Sequence, residues 1–201
     1  MFREAIAVLN RAFLPLIAIS NAMGQSHVVM NDAKVRVTAV VIPRETLYTL
    51  QSTTQRGSIW IALDDARLVT SAAGVAQERK LQAGDAESVR PDDDIQFRNE
   101  NQSPAHFIIV NVKNASQELT LHVFTVSKAL EDASDRNETL IVAVSPLQLR
   151  DIWNTADESQ WRPSKPDVIR MSPGDVRWIR AGTHHFSNLQ RMPAKFVFIE
   201  W

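Results

Sequence analysis

Apolar and polar positions alternate in short runs along most of this chain. "KVRVTAVVI", "SIWIALDDARLVT", "HFIIVNV", "LTLHVFTV", "TLIVAV" and "KFVFIEW" are rich in Val, Ile, Thr and aromatic residues, which suit a pleated surface. Turn-forming stretches separate them: "AGD" ending at Asp85, "PGD" ending at Asp175 and "RPDDD" at 90–94. Beyond the N-terminal segment no long stretch carries the period of a helix, and only single helical turns are expected, near 128–133 and 146–152. Many short strands predict an all-β antiparallel sandwich or a small barrel closed on itself.

The pattern also repeats. "PAHFIIVNV" at 104–112 matches "PAKFVFIEW" at 193–201, an offset of 89. "FRNENQSPA" from Phe97 matches "FSNLQRMPA" from Phe186 at the same offset, which pairs Asn99 with Asn188. "LQAGD" at 81–85 matches "MSPGD" at 171–175, offset 90, and "SIWIALDDARL" at 58–68 resembles "TLIVAVSPLQL" at 139–149, offset 81. Blocks kept in one order with small length changes indicate a duplicated unit. The units run from 25 to 113 and from 114 to 201. The growth of the offset places an insertion in the second copy, within "RDIWNTADESQWRPSKPD".

Composition narrows the classes. An apolar fraction of 44% and a charged fraction of 22% are ordinary for a globular chain. A formal charge of −1 gives no broad attraction to nucleic acid or to an anionic membrane. The absence of cysteine excludes disulfides, thiolate nucleophiles and Cys-based zinc sites. At the N-terminus, Arg3 and Arg11 precede an apolar run from Ala12 to Ile19, and Ala22 and Gly24 stand at −3 and −1 from Gln25. That is the layout of a secretory signal peptide over residues 1–24, with a run too short for a permanent membrane anchor. It predicts a periplasmic or secreted protein. The competing expectation is a helix packed on the body through Ile6, Leu9, Phe13 and Leu16.

Within "GDVRWIRAGTHHFSN", Gly174, Gly182, His184 and Asn188 resemble the second conserved motif of cupins. That motif runs Gly, five residues, Pro-x-Gly, two residues, His, three residues, Asn. Arg180 stands where Pro is usual, and one residue is missing, so His184 fits the spacing to Asn and His185 the spacing from Gly. With the duplication, the chain resembles a bicupin: two tandem double-stranded β-helix, or jelly-roll, units. The resemblance implies a first motif, His-x-His followed by a carboxylate, completing a site for Fe, Mn, Ni or Zn. At those positions this sequence has Ser52 and Thr54 in the first copy and Ala133 and Asp135 in the second. The first copy also has Ile95 and Gln96 near the second-motif histidine position. A divalent transition metal needs about three protein ligands, and the set is short in both copies.

The residues expected to bind a ligand are therefore His184, His185, Asn188 and Trp178, in the C-terminal unit. Adjacent residues of a strand point to opposite faces, so only one of His184 and His185 enters a barrel. A set of His184, His122 and Asp135 is the remaining arrangement able to hold an ion, subject to strand register. His27 and His106 read as surface residues. Asp175 lies near His184, but its "GD" stretch occurs in both copies and reads as a turn cap. Trp153 and Trp161 flank the insertion and offer rings for stacking on a ligand. The functional expectation is an exported, non-catalytic or small-ligand-binding bicupin with a lost metal site and no cofactor. The alternatives are a metal-dependent oxygenase or isomerase, or a metal-free sugar-modifying enzyme. The expected partner is a small molecule, and homodimerisation is the expected assembly.

Overall fold

The structure is a computed structural model that describes residues 24–51, 58–72, 75–89, 94–113, 119–135, 138–154 and 166–200. The expected signal peptide, residues 52 and 54 of the first motif, most of "RPDDD", and Trp161 lie outside the described residues.

Every described element is a strand. The N-terminal unit holds β1 (Gln25–Asn31), β2 (Val35–Ile42), β3 (Leu47–Gln51), β4 (Ser58–Ala62), β5 (Ala66–Ala72), β6 (Val75–Leu81), β7 (Ala86–Val89), β8 (Asp94–Asn99) and β9 (Ala105–Val112). The C-terminal unit holds β10 (Thr120–Val126), β11 (Ala129–Asp135), β12 (Thr139–Ala143), β13 (Leu147–Asn154), β14 (Asp167–Met171), β15 (Val176–Ile179), β16 (Gly182–Asn188) and β17 (Ala194–Glu200). The helical turns expected near 128–133 and 146–152 are instead β11 and β13. Residues 147–151 pair with β14 and residues 149–154 with β16, and these ladders satisfy the backbone groups that an isolated turn would leave open.

The duplication appears in the topology. One sheet of the N-terminal unit runs β1-β2-β9-β4-β7, and its C-terminal counterpart runs β10-β17-β12-β15. The second sheets run β3-β8-β5-β6 and β11-β16-β13-β14, again in matching order. Every pairing is antiparallel, and β1 is the one strand without a counterpart among the described residues. The repeated short motifs do the same work twice. Gly84 and Gly174 take φ of +92° and +86° at the third position of tight turns, where a side chain would be strained. Asp85 accepts from Gln82 N at 2.8 Å and Asp175 accepts from Ser172 N at 2.7 Å, so both act as turn caps. Asn99 donates to the carbonyls of Ile42 and Ser103, while Asn188 donates to those of Val126 and Met192.

Three apolar clusters follow from strand alternation. Trp60, Phe97 and Phe107 fill the N-terminal barrel, and Phe186, Phe196 and Phe198 fill the C-terminal one. The third cluster lies between the units. Val35, Val37, Ile59, Ile61, Ile108 and Val110 meet Leu140, Val142, Val197 and Ile199 there, all fully buried. This explains why β4 and β12 are buried at every position: one face looks into its barrel and the other into the partner unit. Each such side chain is worth about 1.5–3 kcal/mol when fully buried.

Polar ties flank this layer. The Trp178 indole donates to Asp32 Oδ2 at 2.8 Å, Lys34 lies 5.0 Å from the centre of the Trp178 ring, and Lys34 pairs with Glu138 at 2.5 Å. Lys195 donates to the Ala83 carbonyl of the other unit's turn. Burial pushes the Asp32 carboxyl up, but bonds from Val35 N, the Trp178 indole and Lys34 N, with the Lys113 charge, hold it below its ordinary 3.8. A depressed carboxyl contributes stability above its unfolded value and loses it as pH falls through the folded one. The stability gap between wild type and Asp32→Asn should thus be level above about pH 5 and shrink in stronger acid. Urea titrations at several pH values read this directly, and a gap that widens in acid contradicts the assignment.

Candidate functional site

β13 alternates Leu147, Leu149 and Asp151 into the C-terminal barrel, and β16 does the same with Gly182, His184 and Phe186. Asp151 is thus a charged residue on an apolar face, 7% exposed, and His184 is 2% exposed. The register pairs Trp153 with His184 and Asp151 with Phe186, which makes Asp151 and His184 diagonal neighbours across the two strands.

The His184 ring is held on every side. Its Nδ1 lies 3.0 and 2.9 Å from the two Asp151 oxygens, and its Nε2 lies 2.8 Å from the Arg180 carbonyl. A carbonyl only accepts, so Nε2 donates; a carboxylate sharing both oxygens with Nδ1 also accepts. The geometry is that of an imidazolium beside a carboxylate, neutral as a pair and so tolerable when buried. Phe186 stacks on the ring at 5.5 Å with 6° between planes.

The Arg180–Gly182 stretch follows from this anchor. While His184 holds the Arg180 carbonyl, the Trp153 indole donates to the Ala181 carbonyl at 2.8 Å. Gly182 takes φ of +137°, and a side chain there would collide with the Asn154 carbonyl and the Trp153 ring. The Arg180 guanidinium lies over the Trp153 ring, 5.6 Å from its centre.

These residues border a cavity of roughly 500 Å³ at the β14–β15 end of the barrel. Asp151, His184, Trp153, Trp178, Arg177 and Arg180 contribute to its wall, with Asp167 and Ile169 from β14. Arg177 pairs with Asp167 at 3.0 Å. The size suits a small organic ligand.

Of the four residues expected to bind a ligand, His184 and Trp178 line this cavity. His185 lies on the opposite face of β16, as strand alternation requires. Asn188 is not brought to the cavity: its amide is spent on the 126–127 and 192 carbonyls, and its oxygen accepts from Gln190 N. The set of His184, His122 and Asp135 is not assembled. His122 is half exposed on β10 and lies 3.7 Å from Glu200. No group of three or more His, Cys, Asp or Glu placed to hold an ion occurs among the described residues.

Sequence reading missed Asp151, Arg177 and Asp167, and placed Arg180 only as a departure from the motif. The spacing Leu147-x-Leu149-x-Asp151 carried a signal, a carboxylate continuing the inward side of a strand. It was hidden because that segment reads equally as a helical turn.

In the N-terminal barrel the same register puts Thr70 and Ile95 where the second has Asp151 and His184. Thr70 donates to the Gln77 carbonyl. Arg79 occupies the position of Ile169, lies 5.5 Å from the Trp60 ring centre and pairs with Glu87 at 2.5 Å. The first barrel therefore carries its own cation over its core tryptophan.

No family model matches the chain, and no curated protein matches its sequence. Solved structures do match its fold. A conserved protein of unknown function from Pseudomonas aeruginosa PAO1 superposes with a TM-score of 0.65 at 12% identity, covering 90% of each chain. An oxalate decarboxylase from Bacillus subtilis gives 0.58 at 11% identity, over 88% of this chain and 72% of its own. A cupin 2 conserved barrel domain protein from Leptotrichia buccalis gives 0.53 at 10%, over 92% and 91%. At such identities the likeness shows the fold alone: this is a cupin-fold chain, built as two jelly-roll units.

Both nitrogens of the second-motif histidine face oxygen atoms of the protein, the Asp151 carboxyl at Nδ1 and the Arg180 carbonyl at Nε2. Asp151→Ala alone should cost about 3–5 kcal/mol, since it strands a buried charge. Replacing the pair together, Asp151→Thr with His184→Ile as in the first barrel, should recover most of that loss. Chemical denaturation of both variants measures it; a double variant no better than the single one rejects the ion-pair description.

Proposed function

We propose that this chain is a non-catalytic, small-molecule-binding bicupin whose C-terminal barrel holds its ligand without a metal. The observation that carries this reading is the double engagement of His184, which spends a cupin's ion-binding side chain on fixing the cavity wall. The same engagement weighs against acid–base catalysis, because Nε2 faces a backbone carbonyl rather than the cavity space. The N-terminal barrel serves as the scaffold, its aromatic core capped by Arg79. Support for binding comes from the roughly 500 Å³ cavity and the Trp153 indole at its wall.

A thermal-shift screen of small organic acids and sugars tests the reading. Ligands should raise the melting temperature equally before and after chelator treatment, and purified protein should carry far less than one equivalent of transition metal. Stoichiometric metal whose removal abolishes ligand stabilisation sinks the metal-free reading. Export belongs to the same proposal and rests on the layout of residues 1–24, with β1 starting at Gln25. Expressed in a bacterium with a secretion pathway, the protein should appear outside the cytoplasm with Gln25 at its N-terminus. Recovery of full-length cytoplasmic chain would reject export.

A further inference from the structure

We infer that the ligand of the C-terminal cavity is a small oxyanion with a flat apolar body, and that Arg180 receives its charged group. This rests on the binding reading above and narrows it to a chemical class.

The charges around the cavity carry the argument. Asp151 is matched by His184, and Asp167 by Arg177. Arg180 is the remaining charge on the wall, and no described acidic side chain pairs with it. The described wall therefore holds one uncompensated positive charge. Its guanidinium lies over the Trp153 indole, 5.6 Å from the ring centre, a contact made through its charge that takes up none of the N–H donors along its edge. A carboxylate or phosphate accepts from such an edge through two parallel bonds.

The placement of Arg180 is also built rather than incidental. Its carbonyl is gripped by His184, and the indole beneath it is gripped by the next carbonyl, Ala181. Preorganisation of this kind lowers the ordering cost of binding. The N-terminal barrel supplies a contrast within the same molecule. There an arginine also lies on a tryptophan, but Glu87 already neutralises it. Arg79 is a finished ion pair; Arg180 is the same device with its acid partner left to come from outside. The Trp153 indole beside it then suits a planar body attached to the anion.

Calorimetry on the full chain with three probes of one shape tests this: benzoate, phenyl phosphate and benzamide. The Trp153 indole N–H resonance locates the binding. Benzoate, phenyl phosphate or both should bind about tenfold or more tightly than benzamide, as expected for charge-assisted bonds to a guanidinium. Which of the two binds better distinguishes a carboxylate from a phosphate source. Arg180→Gln should erase the advantage, bringing benzoate and phenyl phosphate to the affinity of benzamide, and Arg180→Lys should retain part of it, with stronger salt dependence. Equal affinity for all three probes, or an unchanged advantage in Arg180→Gln, overturns the anion assignment and leaves the binding reading standing. No response at Trp153 to any of the three overturns both.

Discussion

The apolar layer between the two barrels is what the rest of the molecule depends on. Ile59 and Ile61 on one side, and Leu140 and Val142 on the other, point away from their own barrel interiors into a shared third core. Each unit alone would present that face to water. A single jelly roll with one open apolar sheet would associate or aggregate, so linking two copies in one chain satisfies both faces at once. The layer also sets where variation is tolerated. Strands β4, β9, β12 and β17 are packed on both sides, whereas the outer sheets face solvent on one side, and the C-terminal one borders the cavity together with edge strand β15.

Against that fixed frame the two copies have diverged at one end of the barrel. The turn glycines, their Asp caps and the pinning asparagines are kept in both, because each meets a backbone demand that the duplicated topology repeats. The inward positions of β5, β6 and β8, and of β13, β14 and β16, meet no such demand. There Thr70 and Ile95 became, or came from, Asp151 and His184, while Ile169 stands against Arg79. One barrel is closed by an internal cation and the other carries a walled cavity. Trp178 links the two levels, since the residue borders the cavity while its ring packs on the layer between the units and its indole nitrogen bonds to Asp32.

His184 keeps a motif's spacing while its ring is engaged by a carboxylate outside that motif. Its spacing to Asn188 suits the fold, and Asn188 serves the turn that the fold needs. What the ring does is set by Asp151, 33 residues earlier in the chain. The Asp151 carboxyl faces one ring nitrogen, and the Arg180 carbonyl faces the other. The result is a wall in which the ring and the Arg180 backbone are fixed together.

Duplication, strand content and turn chemistry were legible from residues alone. They depend on local rules: alternation along a strand, glycine where φ is positive, an acid side chain two or three residues from the amide it caps. The inward direction of one histidine of the adjacent pair also followed from alternation. The His184–Asp151 pair, the stacking of Arg180 on Trp153 and the balance of charge around the cavity were not legible. Each joins residues on different strands, and only the register between those strands sets the partners. A shift of one residue would turn Asp151 outward and leave His184 with a different neighbour.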